Sequence, residues 1–478
     1  MKRNWLGPLL MLVAAPLQGT AAAPIAGGRP ISLTEALASR PRLEQDLSVE
    51  QAVRIALRES PVIRGAVQEV EAAAGRVAAA RAEQRPWASV NTFLGGGSAA
   101  NLVTSPDPVQ PRMTMGLPGD RFVDQNVSLM VPIYTGGRLR AMVQQARALK
   151  SASESELAGM RQEVALMVRL GYREVQARQD RVRVYRAMLE QNRERQRVDE
   201  VALEVQKIPR YYVLRDQAEV ASAQQMVTMA EKEVDVSLIQ LKSLMGVHLG
   251  SKLLLTEPLS SFSVNPELAG LLSTPAALPE ATTNPTLTRL LELAGRHRPE
   301  LLASEGRIQA GEAELRMGRS AYRPQVSAGV MGDFMKMRGE PSFTGATFAV
   351  VGSLPILDGG LRRAKLQTAR AEVRKLEEDR QQLALRIGEE VTTALLELRA
   401  AEKNVAVARV GAAAAEEDYR VALLRYTSGK GINVEALDAL AASVRAQNNQ
   451  VQALFDYQVA QDRLTRAAGL IEPAGSLK

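Results

Sequence analysis

Val131–Ala148 reads VPIYTGGRLRAMVQQARA, and Leu354–Ala371 reads LPILDGGLRRAKLQTARA. With Pro132 set against Pro355, an offset of 223, ten of the eighteen positions are identical. Each copy carries an apolar strand-like end, a Gly-Gly pair and then a long run without proline. Glycine allows a sharp bend without a Cβ clash. Pro132, Gly136 and Gly137, and again Pro355, Gly359 and Gly360, therefore read as two strand-to-helix bends. Duplicating such a unit is a route to a symmetric tube.

The duplication extends outward from this match. Pro61, Ala72, Arg81, Arg85, Pro86 and Ser89 recur as Pro299, Ala310, Arg319, Arg323, Pro324 and Ser327, at offset 238. Leu214, Ala223, Gln224, Leu241 and Gly246 recur as Leu437, Ala446, Gln447, Leu464 and Gly469, at offset 223. The helical halves thus match in length, and the 15-residue difference falls between Pro86 and Pro132.

Repeat one spans 47–246. It reads as a helix from Val49 to Arg81, a β-hairpin over 87–133, a long helix over 138–206 and a return helix over 210–246. Repeat two spans 286–470, with a helix from Leu287 to Arg319, a hairpin over 325–356, a long helix over 361–427 and a return helix over 434–469. Val127, Leu129 and Val131 alternate with Asn126, Ser128 and Met130, the period of a half-buried strand. Leu366, Ala369, Val373, Leu376, Leu383, Ile387, Val391, Ala394 and Leu398 form an apolar seam at coiled-coil spacing. The segment 247–285, rich in Pro, Ser, Thr and Asn, reads as an external linker with one strand-like run at Leu253–Thr256. Residues 24–46 are an N-terminal segment and 471–478 a tail. The Gly-, Pro- and Ser-rich Gly95–Asp120 is a loop, expected to face outside the cell.

The remainder of the 478-residue composition excludes more than it identifies. Aromatics make up 4%, and Ala, Leu, Arg, Glu and Gln dominate, which suits long helices rather than a thick mixed core. A net charge of +7 without blocks of one sign does not favour nucleic acid as a partner. There is no cysteine, and the two histidines, His248 and His297, have no partner pattern for a metal. No nucleophile–base set and no phosphate loop is present, so neither an enzyme nor a cofactor is expected.

Residues 1–23 read as a secretory signal: Lys2 and Arg3, the apolar run Trp5–Leu17, and small residues up to Ala23 for cleavage. No later stretch approaches the ~18 apolar residues of a membrane-spanning helix. A membrane-spanning part must then be built of β-strands closed into a barrel. Four strands per chain cannot close alone, whereas three chains supply twelve. A periplasmic coiled-coil adaptor without a pore is the competing reading; it does not need two β-hairpins with paired Gly-Gly bends.

The opening LSVEQAVRIALRESP at Leu47–Pro61, the two Pro-Ile-x-x-Gly-Gly bends and the turn YTSGKGINVEALDAL at Tyr426–Leu440 resemble the TolC family of outer-membrane efflux and secretion channels, over essentially the whole mature chain. The resemblance implies a homotrimer in outer-membrane lipid. Its fold is mainly α, with a twelve-stranded barrel continued by a long periplasmic α-helical barrel and a small equatorial region. The implied role is the exit duct of a tripartite efflux pump or type I secretion system. The implied partners are a periplasmic adaptor (membrane fusion) protein and an inner-membrane pump of RND or ABC type. Lacking a lipid-bearing cysteine, the chain resembles the unlipidated branch.

The same resemblance directs attention to the helix-to-helix turns. Glu435 and Asp438 fall at the family's acidic entrance positions and, three apart, share one helix face. Threefold repetition gives an acidic ring that attracts cations. A second reading also stands: Asn433 as N-cap, with both acids stabilised by the helix dipole. Tyr426 matches a family tyrosine that holds the entrance shut. The family's latch arginine is replaced by Gly431, beside Lys430. The facing positions Tyr211 and Tyr212 replace small polar and acidic residues, and Arg215 stands opposite Asp438 in the repeat. Tyrosine stacking, or Arg215 pairing with Glu435 or Asp438 of a neighbouring chain, is therefore expected to take over the closing contacts.

Overall fold

The protein is described by a computed structural model covering residues 32–95, 122–260, 270, 285–337 and 341–471. The expected signal, most of the Gly95–Asp120 loop, much of the linker and most of the tail lie outside the described residues.

The two repeats fold alike. In the first, α2 (Val49–Glu59) and α3 (Pro61–Ala82) lead to β2 (Trp87–Gly95), β3 (Phe122–Tyr134), α4 (Arg138–Glu204) and α5 (Arg210–Met245). In the second, α6 (Pro285–His297) and α7 (Pro299–Ser320) lead to β5 (Gln325–Met337), β6 (Phe343–Ser353), α8 (Leu361–Thr427) and α9 (Asn433–Ala467). Ahead of them lie α1 (Leu33–Ala38) and β1 (Glu44–Leu47), and β4 (Lys252–Leu255) lies between them. Both long helices have 67 residues, about 100 Å at 1.5 Å per residue. Helix α4 packs on α3 and α7 and also on α5, while α8 packs on α6, α7 and α9. Helix α9 also contacts α4, joining the repeats.

The Gly-Gly bends have nearly identical backbones. Gly136 and Gly359 both have φ +61°, and Gly137 and Gly360 have φ +94° and +91°. A Cβ on Gly136 would stand 2.8 Å from the Ser320 carbonyl oxygen. In the second copy, Asp358 accepts bonds from the Gly360 and Arg362 amides at 3.2 and 2.9 Å.

Four expectations need correction. The opening helix of each repeat is broken in two, at Ser60 and at Arg298, because Pro61 and Pro299 lack the N–H that would continue it and instead occupy the first turn of a new helix. The last strand ends at Ser353 rather than 356, which leaves Pro355 beyond it. Strand β3 has neighbours on both sides and pairs down to Tyr134, whereas β6 has only β5, whose pairing stops at Gln325–Ser353. The linker is not merely external: β4 pairs in parallel with β1, and Leu253 joins the core formed by Leu47, Val53, Val168, Tyr172, Leu241 and Met245. The fourth correction, at Asn433, belongs to the site below.

The sheet runs in the order β2-β3-β5-β6, all antiparallel, leaving β2 and β6 as free edges. Register places Val90, Val127, Leu129, Val330, Phe348 and Val350 on one face, all exposed. The opposite face carries polar pairs among apolar residues such as Met130, Met331 and Val351: Ser89 and Ser128 hydroxyls meet at 2.8 Å, and the Asn126 amide donates to Asp333. No helix among the described residues is long and apolar enough to cross a membrane.

Candidate functional site

The two helix-to-helix turns, at the ends of α4 and α8 remote from the strands, are built on one backbone plan. Lys207 N–H donates to the Ala202 carbonyl at 2.9 Å, and Lys430 N–H to the Arg425 carbonyl at 2.9 Å, again 223 residues apart. The residue before each lysine is left-handed: Gly429 at φ +71°, but Gln206 at φ +57°. Met188, Leu189, Ala223, Val227, Tyr419, Ala439, Leu440 and Val444 pack the four helices together above the turns.

Glu435 and Asp438 are both exposed, on the first turns of α9. Lys430 and Arg215 are also exposed. Tyr211 and Tyr212 stack on each other with ring centroids 4.5 Å apart. This stacking lies between neighbours on one helix and is not a contact across the entrance.

Asn433 does not cap α9. It is the first helical residue, Ile432 holds the cap position, and no side chain caps the helix. Asn433 is instead fully buried, and its amide donates to Asp199 Oδ2 at 3.1 Å. This ties the dipole reading of Glu435 to position alone, without an Asn cap beside it.

Tyr426 makes a polar contact between the repeats at the turns. Its hydroxyl lies 2.7 Å from both oxygens of Asp199 on α4, and Asn433 Nδ2 is 3.4 Å from the same hydroxyl. Burial, followed by the bond to Asp199, pushes the Tyr426 hydroxyl well above its ordinary range, so it stays protonated and donates.

Behind this contact lies a group that sequence reasoning did not single out. Asp199, Asp216, Arg195 and Asn192 are all at most 3% exposed. Arg195 Nε donates to Asp216 Oδ1 at 3.0 Å, and its Nη2 to Asn192 at 3.1 Å. Asp216 Oδ2 has no donor among the described residues. Burial, then the neighbouring Asp199 carboxyl, raises Asp216 from 3.8 to about 6 against the opposing pull of Arg195. A signal was present in the repeats: Asp199 aligns with Ala422 and Asp216 with Ala439. The fold does not require acids at these positions.

Among the described residues no cluster of His, Asp or Glu could hold a metal, and His297 is exposed at the end of α6. A cavity of about 600 Å³ lies between the helix pairs and is lined by residues including Met167, Gly171, Leu244, Ala401, Phe455 and Arg463. It brings together no reactive set.

Comparison with known proteins agrees with this architecture. Residues 52–247 and 290–470 match the family described as outer membrane efflux protein. Protein CyaE of Bordetella pertussis is 26% identical over 90% of this chain and 85% of its own. Outer membrane protein OprJ of Pseudomonas aeruginosa is 32% identical over 36% of this chain and 37% of its own. The solved structure of the Campylobacter jejuni CmeC outer membrane channel superposes with a TM-score of 0.70 at 15% identity, over 90% of this chain and 87% of that one.

Proposed function

The chain belongs to the outer membrane efflux protein family, and from that premise we propose that it is the exit duct of an export assembly, a homotrimeric pore that conducts cargo passively and is gated at its helix tips. The observation carrying this reading is the sheet. It has one apolar exposed face, an opposite face that holds its polar pairs, and two unpaired edges, and at its base the Gly-Gly bends lead into two 67-residue helices. In hydrocarbon each unpaired edge amide costs several kcal/mol, so the edges must meet those of other chains. Three copies give twelve strands, enough to enclose a lumen lined by that opposite face.

The helical part extends into the periplasm, where a periplasmic adaptor and an inner-membrane pump of RND or ABC type engage it and supply the energy. A tripartite efflux pump and a type I secretion system both fit this arrangement. Glu435 and Asp438, threefold repeated, form the acidic entrance ring, and Tyr426, Lys430, Tyr211, Tyr212 and Arg215 surround it as gate contacts. A signal at 1–23 delivers the chain for export.

The test is single-channel current from the purified protein in planar bilayers. Cation-selective current is expected, with selectivity reduced in the Glu435→Ala, Asp438→Ala double variant. A current indifferent to both carboxylates removes the ring, and no current from a folded oligomer under any condition removes the pore.

A further inference from the structure

The Asp199–Asp216 pair is the buried charged group that the conduit reading leaves unused. Two carboxyls and one guanidinium are enclosed together where the repeats join. Arg195 satisfies one oxygen of Asp216, Tyr426 and Asn433 satisfy Asp199, and Asp216 Oδ2 is left with no donor. Asp199 is the neighbouring carboxyl that, after burial, raises Asp216. Two carboxylates cannot hydrogen-bond to each other unless one carries a proton. The groups facing the pair are Arg195 on α4, Tyr212 on α5, Tyr426 on α8 and Asn433 on α9, with Tyr419 of α8 beside Arg195. Arg195 is the one cation in that set, and it cannot balance two anions.

We propose that the joint between the two turns binds one proton on the Asp216 carboxyl, beside the Asp199 carboxylate, and that releasing it loosens the Tyr426–Asp199 contact that links the repeats at their turns. With the proton bound, the enclosed group is neutral and Asp199 stays under the Tyr426 hydroxyl. With the proton lost, two like charges share one guanidinium and repel, which works against Asp199 staying under the Tyr426 hydroxyl. The repeats support a function rather than a packing need, since Ala422 and Ala439 fill the same backbone positions in the second copy.

The sign follows from linkage. A carboxyl held at about 6 in the closed joint, against an ordinary 3.8, stabilises that joint at low pH, and the stabilisation is lost as pH rises through 6. A shift of this size changes the closed-to-open ratio by roughly a hundredfold over the full range, of which roughly tenfold falls between pH 5 and 7.5. The gating half of the inference rests on the conduit reading; the proton site does not.

Two measurements on the full-length protein separate them. Infrared difference spectra between about pH 5 and pH 7.5 should show a protonated carboxyl band that disappears with a midpoint near 6 and is missing in Asp216→Asn. No titrating band, or one unchanged in that variant, overturns the proton site. In planar bilayers the open probability should rise over the same interval. The rise should be absent in Asp216→Asn, which stays locked, and absent in Asp199→Asn, which keeps an acceptor for Tyr426 but leaves one buried acid. It should persist in Glu435→Gln with Asp438→Asn. A rise that survives both buried-acid variants, or that vanishes with the exposed pair, overturns the coupling. Absence of current at every pH overturns the conduit and the gating half with it, while the infrared titration still decides the proton site.

Discussion

Gln206 is the one non-glycine residue with positive φ among the described residues, at +57°, in the position where the second repeat has Gly429 at +71°. A side chain in the left-handed region costs roughly 1–2 kcal/mol, part of which glycine returns through its larger unfolded-state entropy. Gln206→Gly is therefore expected to stabilise the turn by about 1 kcal/mol or less, read as a raised midpoint in denaturant unfolding; an unchanged or lowered midpoint would show that no strain resides there. Tyr426→Phe acts in the other direction. It removes the donor to a buried carboxylate, an interaction worth about 1.5–3 kcal/mol, and should speed hydrogen exchange of amides 426–433 while sparing the strands. At this scale the sequence was legible only in part. Tyr426, Glu435 and Asp438 could be found because they stand in a recognisable turn. Asp199 and Asp216 are marked only by the alanines at their repeat positions, Ala422 and Ala439, because a buried aspartate and a solvated one look alike in a helix of mixed charge. Asn433 was misread for a related reason: the residue types that cap helices also make buried hydrogen bonds.

The elements show why a proline and a glycine recur together in the repeats. Gly246 ends α5 at φ +71°, and a Cβ there would lie 2.7 Å from the Glu59 carbonyl oxygen, at the break between α2 and α3. Gly469 follows α9 at φ +75°, with its Cβ position 2.9 Å from His297 Cβ, at the break between α6 and α7. Each return helix thus ends against the proline joint of its own repeat. Gly246→Ala is expected to cost more than the 1–2 kcal/mol of the left-handed backbone alone, because the neighbouring backbone must also move. Gly429→Ala, with the same φ and nothing within 4 Å of its Cβ position, should cost only that backbone amount. Equal losses in urea unfolding would contradict the close-approach argument. The two opening helices were read as continuous because apolar spacing carries across Ser60 and Arg298, and proline in a first turn leaves that spacing intact. The seam on α8 was legible in most positions: Ala369, Val373, Ile387, Val391, Ala394 and Leu398 are buried, and Leu366, Leu376 and Leu383 are half-buried.

For the whole molecule, the free edges of the sheet carry the argument. Alternation along Phe122–Tyr134 predicted a strand with one apolar face, and the structure places that face beside Val90, Val330 and Phe348. One chain's sequence does not encode which strand of a neighbour completes the ladder, because backbone pairing is indifferent to side-chain identity and register is set by geometry between chains. The topology leaves β2 and β6 as the only sheet edges in this four-stranded arrangement, so a closed ring must pair β2 of one copy with β6 of the next. Since the chain contains no cysteine, engineered pairs report this contact without background. Ser89→Cys should be combined in turn with cysteine at Gly345, Thr347, Ala349 or Val351, all on the same face as Ser89 by the observed register. Directly opposed Cβ atoms in antiparallel strands are about 4.5–5.5 Å apart, within or slightly above the usual disulfide range. At one or two of these registers, oxidised membranes should yield dimer and trimer bands that collapse on reduction, while single-cysteine controls remain monomeric. Monomer at every register would mean that the edges do not meet, and the twelve-stranded ring would have to be abandoned.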